Sequence, residues 1–408
     1  MLIPSIDLMN GKAVQLRQGK EKVLEKDNVI ELAKYFAQFG EVAVIDLDAA
    51  FNKGNNEALI QEICKVAPVR VGGGIRDVEK AKRMLALGAK KIIIGTAANE
   101  EFLSKLPKDK VIVAIDEKNG KIAIDGWQNE NEFSPLDYIK RFDNLCSGYL
   151  YTVVENEGMM QGCNFDKIQK VREATKLDVV AAGGISTLEE IKKLEQMNVS
   201  SQLGMAIYTD AIKLEDAFIN NLDFAKQDGL IPTIVQDYDS KQVLMLAYST
   251  PESLKMTFEK GLATYYSRSR NELWTKGETS GNIQQLMQAR YDCDFDTILF
   301  KVKQKGNACH LGRYSCFEDK EFAICQLYDL LLDRKQNLPE NSFTTKLFKN
   351  EFYLKRKLME EAFEVVNFEQ GDGLGWEASD LVYFLLTFMA KNDITPRDIL
   401  NNLASRTK

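Results

Sequence analysis

Histidine is almost absent from this chain, which has a single one in 408 residues, together with eight prolines and seven cysteines. An odd cysteine count argues against a disulfide framework, so a reducing compartment, the cytoplasm, is expected. Basic residues are outnumbered, 53 against 60 acidic ones, and the net charge of −7 leaves no basic surface for nucleic acid. Long apolar runs are also missing. The longest, 381–390, is too short to cross a membrane and predicts a buried helix.

The first seven residues lack the basic segment and the cleavage site of a signal peptide, so none is expected. The length itself predicts two or three domains with ample apolar sequence for their cores.

Most of the chemically informative residues lie between Thr264 and Cys316. The only histidine, His310, shares a window of 25 positions with three cysteines and three alternating aspartates. Thiolates are soft ligands that select zinc, whereas carboxylate oxygens suit magnesium or calcium. The residues concerned are Cys293, Cys309 and Cys316, and Asp292, Asp294 and Asp296.

If residues 291–296 are extended, the three aspartates share one face of a strand and Cys293 points to the other. The three cysteines would then form a zinc site with one position left for water, as in catalytic zinc sites. His310 is a candidate proton carrier beside a ligand. The alternative is that the cysteines are ordinary buried residues and the aspartates form a polar turn. This alternative could explain the cysteines or the aspartates alone, but it explains their occurrence together with the histidine less well.

Residues 267–270, 273–282, 292–296 and 309–316 together resemble phosphoribosyl-AMP cyclohydrolase of histidine biosynthesis, over about 228–318. The resemblance implies a zinc-activated water that opens the six-membered ring of an N1-alkylated adenine, at a site completed across a homodimer. It also implies zinc on the three cysteines, magnesium on the three aspartates and a catalytic role for His310. Substrate contacts are expected from Lys276, Glu278, Thr279 and Ser280.

Residues 1–227 alternate short β-branched runs with longer amphipathic stretches of helical period. This rhythm predicts a (β/α)8 TIM barrel. The eight candidate strands are 2–6, 42–45, 69–71, 91–94, 111–115, 149–154, 178–182 and 200–203.

The same region contains an internal repeat of roughly 110 residues, which predicts two half-barrels and a ligand with two similar ends. Glycine-rich turns after barrel strands commonly bind phosphate through backbone N–H groups. Two aspartates at strand ends would then face each other across a bisphosphorylated substrate and serve in acid–base catalysis. The repeated pairs are Asp7 with Asp116, Gly73 and Gly74 with Gly183 and Gly184, and Gly95 with Gly204. Alternatively, these glycines make tight connections and the aspartates cap helices.

The barrel region resembles the isomerase of the same pathway that converts a bis-phosphoribosyl aminoaldose to its ketose by an Amadori rearrangement. Matching stretches are 3–8, 72–76, 114–116, 126–127 and 182–186. The resemblance implies Asp7 as base, Asp116 as acid and Thr152 as a third active-site residue, with Arg76 and Thr96 among the substrate contacts.

Three positions depart from the isomerase pattern. Gln15 stands where Arg is usual, Glu157-Gly158-Met159 replaces Asp-Gly-Thr, and Met205 replaces a basic residue. Since cationic contacts strengthen phosphate binding, their loss opens the alternative of a catalytically inactive scaffold barrel.

From about residue 322 the apolar spacing becomes purely helical. One predicted helix carries acids three and four residues apart, and the next carries two acids three apart, so each set shares a face. Clustered carboxylates indicate magnesium holding a polyphosphate, against the alternative of a solvated acidic face. The acids are Glu360, Glu361 and Glu364, and Glu377 and Asp380.

This segment resembles phosphoribosyl-ATP pyrophosphohydrolase, an all-α relative of MazG-type hydrolases, through 334–335, 339–344, 357–364 and 377–383. The chain is thus predicted to have three domains: a TIM barrel (1–227), a small mainly-β/α+β zinc domain (228–321) and an all-α domain (322–408). Its expected partners are phosphoribosyl nucleotides, zinc, magnesium and a second copy. A rival hypothesis is a broad nucleotide hydrolase, which the zinc motif disfavours.

Overall fold

The computed structural model describes residues 1–17, 19, 21–369 and 373–404. The first part of the chain forms eight parallel strands that pair in chain order, and the last strand pairs with the first. The predicted TIM barrel is therefore confirmed. Its strands are β1 (Leu2–Met9), β2 (Val42–Asp46), β3 (Val69–Gly72), β4 (Lys91–Ile94), β5 (Val111–Lys118), β6 (Gly148–Val153), β7 (Asp178–Ala182) and β8 (Ser200–Leu203).

Helices pack around the barrel and begin where the sequence supplies caps. Thr187 and Glu190 form a capping box at the start of one helix. Ser134 and Asp137 form another, in a helix whose first residue is Pro135. The helices are α1 (Val29–Ala37), α2 (Glu57–Val66), α3 (Val78–Ala86), α4 (Pro135–Phe142), α5 (Phe165–Ala174), α6 (Leu188–Gln196) and α7 (Leu214–Asn221). Single-turn helices lie at Leu47–Ala50, Glu100–Leu103 and Met205–Tyr208, and 3-10 turns at Lys108–Lys110, Val154–Asn156 and Phe224–Gln227.

Two hairpins extend the barrel sheet. One joins Lys12–Arg17 and Glu21–Lys26 to the edge of β1, and the other joins Lys121–Ile124 and Asn129–Glu130 to β5.

Alternation along the strands separates the barrel interior from the helical layer. On β1, Leu2, Ile6 and Leu8 belong to the core under the helices, whereas Ile3 lies in the interior cluster. Asp7 is four residues beyond Ile3 and so shares its face, at the carboxyl end of the strand. Six strands each contribute one buried side chain to the interior cluster of the barrel: Ile3, Ala43, Ile93, Ile112, Leu150 and Val180.

The second domain is a six-stranded sheet with one helix, in agreement with the predicted mainly-β/α+β fold. The elements are β9 (Ile231–Asp237), β10 (Val243–Ser249), α8 (Pro251–Lys260), β11 (Thr264–Ser267), β12 (Glu272–Thr275), β13 (Gln284–Tyr291) and β14 (Ile298–Gln304). The strand order is β12-β11-β10-β9-β14-β13, with β9 and β14 parallel and the remaining pairs antiparallel.

The last part of the chain is helical and has its own two small cores, built around Leu331 and Leu354. The apolar run 381–390 lies within its longest helix, and no described helix is long and apolar enough to cross a membrane. The helices are α9 (Ile324–Asn337), α10 (Phe343–Lys349), α11 (Glu351–Val366), α12 (Leu374–Lys391) and α13 (Pro396–Ala404). Residues 405–408 of the predicted domain fall outside the described part.

The barrel and the second domain share one continuous apolar core. At this domain seam the ring of Phe258 lies 4.6 Å from that of Phe39 and 5.4 Å from that of Phe218, measured between centroids. The Ala289 N–H donates to the carbonyl of Gln38 at 2.7 Å. Such an apolar, hydrogen-bonded contact is typical of a permanent interface rather than a flexible linkage.

A second set of contacts at the seam is charged. Arg290 donates to the Gln38 carbonyl at 3.2 Å, and burial lowers the pKa of its guanidinium to about 10, while Glu41 opposes that shift. The Tyr291 hydroxyl donates to Glu195 of the barrel at 2.8 Å. The seam therefore includes polar groups that have partners on both sides.

Because the seam is a shared core, Phe258→Ala should destabilise the barrel and the second domain together, by about 3 kcal/mol. Hydrogen exchange measured by mass spectrometry should show faster exchange in peptides from both domains. Phe322→Ala, at a residue 77% exposed, is the control and should change little. Faster exchange confined to the second domain would contradict a shared core.

Candidate active sites

Three carboxyl groups meet at the mouth of the barrel. Asp7 comes from β1, Asp116 from β5 and Glu157 from the loop after β6. Burial raises the pKa of Asp7 to about 7. Burial also raises the pKa of Glu157 to about 7, and the charges of Asp7 and Asp116 add to this effect. These groups can therefore gain and lose protons near neutral pH, as acid–base catalysis requires.

Asp116 differs from Asp7 in having hydrogen-bond donors. Thr152 lies directly opposite it in the pairing of β5 with β6, and Thr152 and Trp127 both donate to its carboxylate. Burial raises the pKa of Asp116, and these two hydrogen bonds act against that rise. Trp127 is presented by a turn in which its own φ is +68°. Strained backbone of this kind is often retained where a side chain must be aimed.

Matching glycine turns follow β3 and β7. Gly73 and Gly183 have φ of +94° and +89°, a conformation that favours glycine. A Cβ on Gly73 would lie 2.3 Å from the carbonyl oxygen of Asp46, and one on Gly183 would lie 3.1 Å from Glu157 Oε2. The two halves of the barrel thus share this feature, but the second turn faces a carboxylate.

A recess beside the second turn is lined by polar and apolar groups. It includes Gly184, Gly204 and Met205, together with Gln202. The amide of Gln15 is buried next to Gly204, and its Nε2 has no hydrogen-bond partner within the described structure. The recess thus brings the Gln202 amide and the Met205 thioether beside the second glycine turn.

Two other predicted contacts of the barrel have partners in the protein. The Arg76 guanidinium donates to the carbonyls of Ala49 and Ala50 and to the Asn52 side chain. Thr96, which follows Gly95, accepts from the backbone N–H of Asp125 at 2.9 Å. Arg76 and Thr96 therefore brace loops at the mouth, and their contact with substrate stays a prediction, as does that of Gly74 and Gly95.

Two of the three predicted zinc cysteines come together in the second domain. Cys309 accepts a hydrogen bond from the Leu311 N–H at 3.4 Å, and this bond, with Cys316 and Arg313 nearby, lowers the pKa of its thiol. The sulfur of Cys293 is not in one cluster with them: the three sulfurs do not all lie within 4.8 Å of one another. Within one described chain the thiolate set is incomplete.

The three aspartates converge, although not as predicted. Residues 292–297 form a turn and not an extended strand, because the Asp292 carboxylate accepts from the N–H groups of Asp296 and Thr297. The turn also uses a φ of +65° at Phe295. Oxygens of Asp292, Asp294 and Asp296 nevertheless lie within 4.8 Å of one another.

A lysine from the barrel side enters this aspartate cluster. Lys226 Nζ lies 3.0 Å from Asp294 Oδ2 and 3.6 Å from Asp296 Oδ2, and the Asp223 N–H donates to the Phe295 carbonyl at 2.8 Å. The ammonium group balances charge where a hard cation would bind.

Two of the remaining predicted residues of this domain, Lys276 and His310, lie beside the cysteine pair. Lys276 is close enough that Cys316 and Cys309 act on its pKa, which burial lowers. His310 is exposed beside Cys309. The turn after Lys276 is exposed and carries Glu278, Thr279 and Ser280.

The acids of the helical domain gather between α11 and α12. Oxygens of Glu361, Glu377 and Asp380 lie within 4.8 Å of one another, and Glu361 is only 5% exposed. A hydrogen bond with Glu377 raises the pKa of Glu364, because one of the two must hold a proton. Glu360 is placed differently and pairs with Lys357 Nζ at 2.8 Å. The donor set is all oxygen, which fits magnesium.

Four functional candidates were not predicted from the sequence: Glu157, Trp127, Lys226 and Lys357. Glu157 departs from the isomerase pattern, but its carboxylate, one methylene longer than that of aspartate, still reaches the cluster at the mouth. Lys357 lies 3.0 Å from Glu361, within the stretch that resembles the pyrophosphohydrolase. Lys226 had no local signal, because its partners are 68 residues away.

Comparison with known proteins assigns each part of the chain. Residues 1–213 match the family described as "Histidine biosynthesis protein", residues 245–318 match "Phosphoribosyl-AMP cyclohydrolase" and residues 324–407 match "Phosphoribosyl-ATP pyrophosphohydrolase". The last two families are generally metal-dependent.

Individual relatives agree with this division. A bis-phosphoribosyl imidazole-4-carboxamide isomerase of Methanocaldococcus jannaschii is 39% identical over 230 residues, covering 53% of this chain and 97% of its own length. That of Aquifex aeolicus is 41% identical over 231 residues, covering 53% and 96%. The histidine biosynthesis bifunctional protein HisIE of Caldanaerobacter subterraneus is 45% identical over 202 residues, covering 47% and 98%. This chain therefore belongs to the histidine biosynthesis protein family, with a cyclohydrolase and a pyrophosphohydrolase domain following its barrel.

Proposed function

We propose that the chain catalyses three consecutive steps of histidine biosynthesis. The helical domain removes pyrophosphate from phosphoribosyl-ATP, the second domain opens the adenine ring of phosphoribosyl-AMP, and the barrel isomerises the resulting aminoaldose to its ketose. The observation that carries the third step is the cluster of Asp7, Asp116 and Glu157 at the barrel mouth, two of which have a pKa of about 7. A scaffold barrel has no need to gather three carboxyl groups at its mouth, so that alternative is not favoured.

In the barrel, proton transfer is divided between two sides of the mouth. Asp116 donates a proton to the ring oxygen of the aminoaldose as the ring opens, and Asp7 removes the proton from C2. The C2 hydroxyl then becomes the ketone, and its proton is transferred to C1. Thr152 and Trp127 hold the Asp116 carboxylate in place by hydrogen bonds. Glu157 sits between the acids and the Gly183 turn, where it orients the ribose nearest that turn.

In the second domain we assign zinc to Cys309 and Cys316 of one subunit and Cys293 of its partner. These cysteines would hold zinc, which would supply an activated water as the nucleophile for ring opening. His310 carries the proton, and Lys276 lies beside the thiolates, where its charge stabilises them. The separation of Cys293 from the other two cysteines supports a homodimer as the working form. We expect this form in the cytoplasm, where biosynthetic enzymes of this kind work.

We assign one magnesium site to Asp292, Asp294 and Asp296 and another to Glu361, Glu364, Glu377 and Asp380. The acids of the helical domain would hold magnesium, which would supply the positive charge that neutralises and orients the triphosphate. Lys357 holds Glu361 and Glu360 by ion pairs. Glu360 therefore acts through Lys357 in this proposal, and not as a direct ligand.

Asp7→Asn tests the barrel through both activity and stability. Isomerisation should fall by about 10²- to 10⁴-fold, since a general base is removed. In the wild type, kcat/KM should decline as the pH drops below about 7, where Asp7 becomes protonated. Ring opening should be unaffected.

The same variant should stabilise the metal-free barrel. The pKa of Asp7 is higher in the folded protein than the value of 3.8 for a free side chain, so ionising it opposes folding. The increase in the free energy of unfolding relative to wild type should be absent below about pH 4 and should reach up to about 4 kcal/mol above pH 8. Urea denaturation at both pH values measures it, with Asp109→Asn as an exposed control. Equal stability at pH 8 would contradict the buried, charged carboxylate.

Cys309→Ser and Glu361→Gln separate the two hydrolytic sites. Cys309→Ser should remove bound zinc and lower ring opening by at least about 100-fold, while pyrophosphate release continues. Glu361→Gln should do the reverse when each substrate is supplied directly. Cys325→Ser and Glu351→Gln are the matched controls, at a thiol outside the cysteine pair and at an acid elsewhere on α11. Loss of both activities in either variant would contradict separate sites.

A further inference from the structure

The two hydrolytic domains are attached to one end of the barrel. Gln38 and Glu195, which contact the second domain, lie shortly before β2 and β8 and hence at the N-terminal ends of the strands. The helical domain contacts the barrel through Arg397, which donates to the carbonyl of Lys65, shortly before β3. Both domains thus lie toward the N-terminal face of the barrel.

The proposed isomerase residues lie at the opposite end. Asp7, Asp116 and Gly183 are at or just beyond the carboxyl ends of their strands. Asp7 is six residues after Met1, so the two faces are separated by roughly 15–20 Å of strand. A ligand at the mouth therefore faces away from both hydrolytic domains.

The barrel interior offers no route between its two faces. Six inward side chains from six strands form one buried cluster, none of them more than 6% exposed. An eight-stranded barrel filled in this way is a packed core and not a pore.

The ring-opening cysteines are also displaced from the barrel. The Cys316 N–H donates to the Leu244 carbonyl in β10, and β10 lies three strand positions from β13, the strand that meets Gln38. That is roughly 14 Å across the sheet. If the partner subunit completes the zinc site, the Cys293 that it contributes lies near the N-terminal face of the partner's own barrel. The zinc site is then still on the opposite side from either barrel mouth.

We propose that the aminoaldose produced by ring opening is released into solution and is isomerised by any barrel mouth that it meets, in the same or another chain. This inference rests on the proposed function and specifies how its second and third steps are connected. The seam then serves stability, and not transfer of the intermediate.

The time course of ketose formation tests this directly. Zinc- and magnesium-loaded protein is given phosphoribosyl-AMP, and aminoaldose and ketose are both followed. A released intermediate must accumulate first, so ketose formation should show a lag. Adding an equal amount of Cys309→Ser chain doubles the barrel mouths without adding ring opening, and should halve the lag. The length of the lag is set by how fast the barrel mouths consume the aminoaldose. Exchange of subunits between the two proteins leaves the number of barrel mouths unchanged, so it does not alter the expected lag.

The matched control is the double variant Asp7→Asn/Cys309→Ser, which should leave the lag unchanged. Ketose formation without a lag, or a lag insensitive to added Cys309→Ser chain, would overturn release. Accumulation of aminoaldose with no ketose at all would overturn the isomerase assignment, while still showing that the intermediate leaves the chain.

Discussion

The gathering of several carboxyl groups in each site is the constraint on which all three sites depend, because clustered negative charges oppose one another. In the barrel, negative charge is reduced by protonation near neutral pH, because burial raises the pKa of Asp7 and Glu157 to about 7. The second domain places Lys226 among its aspartates. The helical domain places Lys357 against Glu361, and a hydrogen bond joins Glu364 to Glu377. Each arrangement costs stability unless a cation, proton or substrate is supplied, and that cost marks these clusters as functional.

The alternation of side chains along barrel strands has two consequences for function. The same inner face supplies Ile3 near one end of β1 and Asp7 near the other, so the packing that closes the barrel also points the catalytic groups away from it. The outer face carries the core that continues across the domain seam to Phe258. Fusion of the domains has therefore linked their folding while leaving their active sites apart.

The fold was predictable from the sequence because β-branched runs, helical periods and the internal repeat all indicated the same barrel. The local structure around the candidate site residues was less predictable from the sequence than the fold. The 292–297 turn depends on one carboxylate capping two N–H groups, which competes with an extended strand. Glu157 was judged by its departure from a motif, although its carboxylate reaches the same place. The seam could not be predicted at all, because Gln38 and Arg290 meet across 252 residues and neither carries a local signal.

The central claim is that the barrel is an active isomerase within a trifunctional chain. The most direct measurement gives the purified wild-type protein the aminoaldose alone, without the earlier substrates, and follows its conversion to the ketose spectroscopically at pH 7.5. The account predicts steady turnover that persists after chelators remove the metals, because the barrel mouth uses only carboxyl groups. No turnover, in protein that opens the ring of phosphoribosyl-AMP normally, would show that the barrel is a scaffold and the chain is bifunctional.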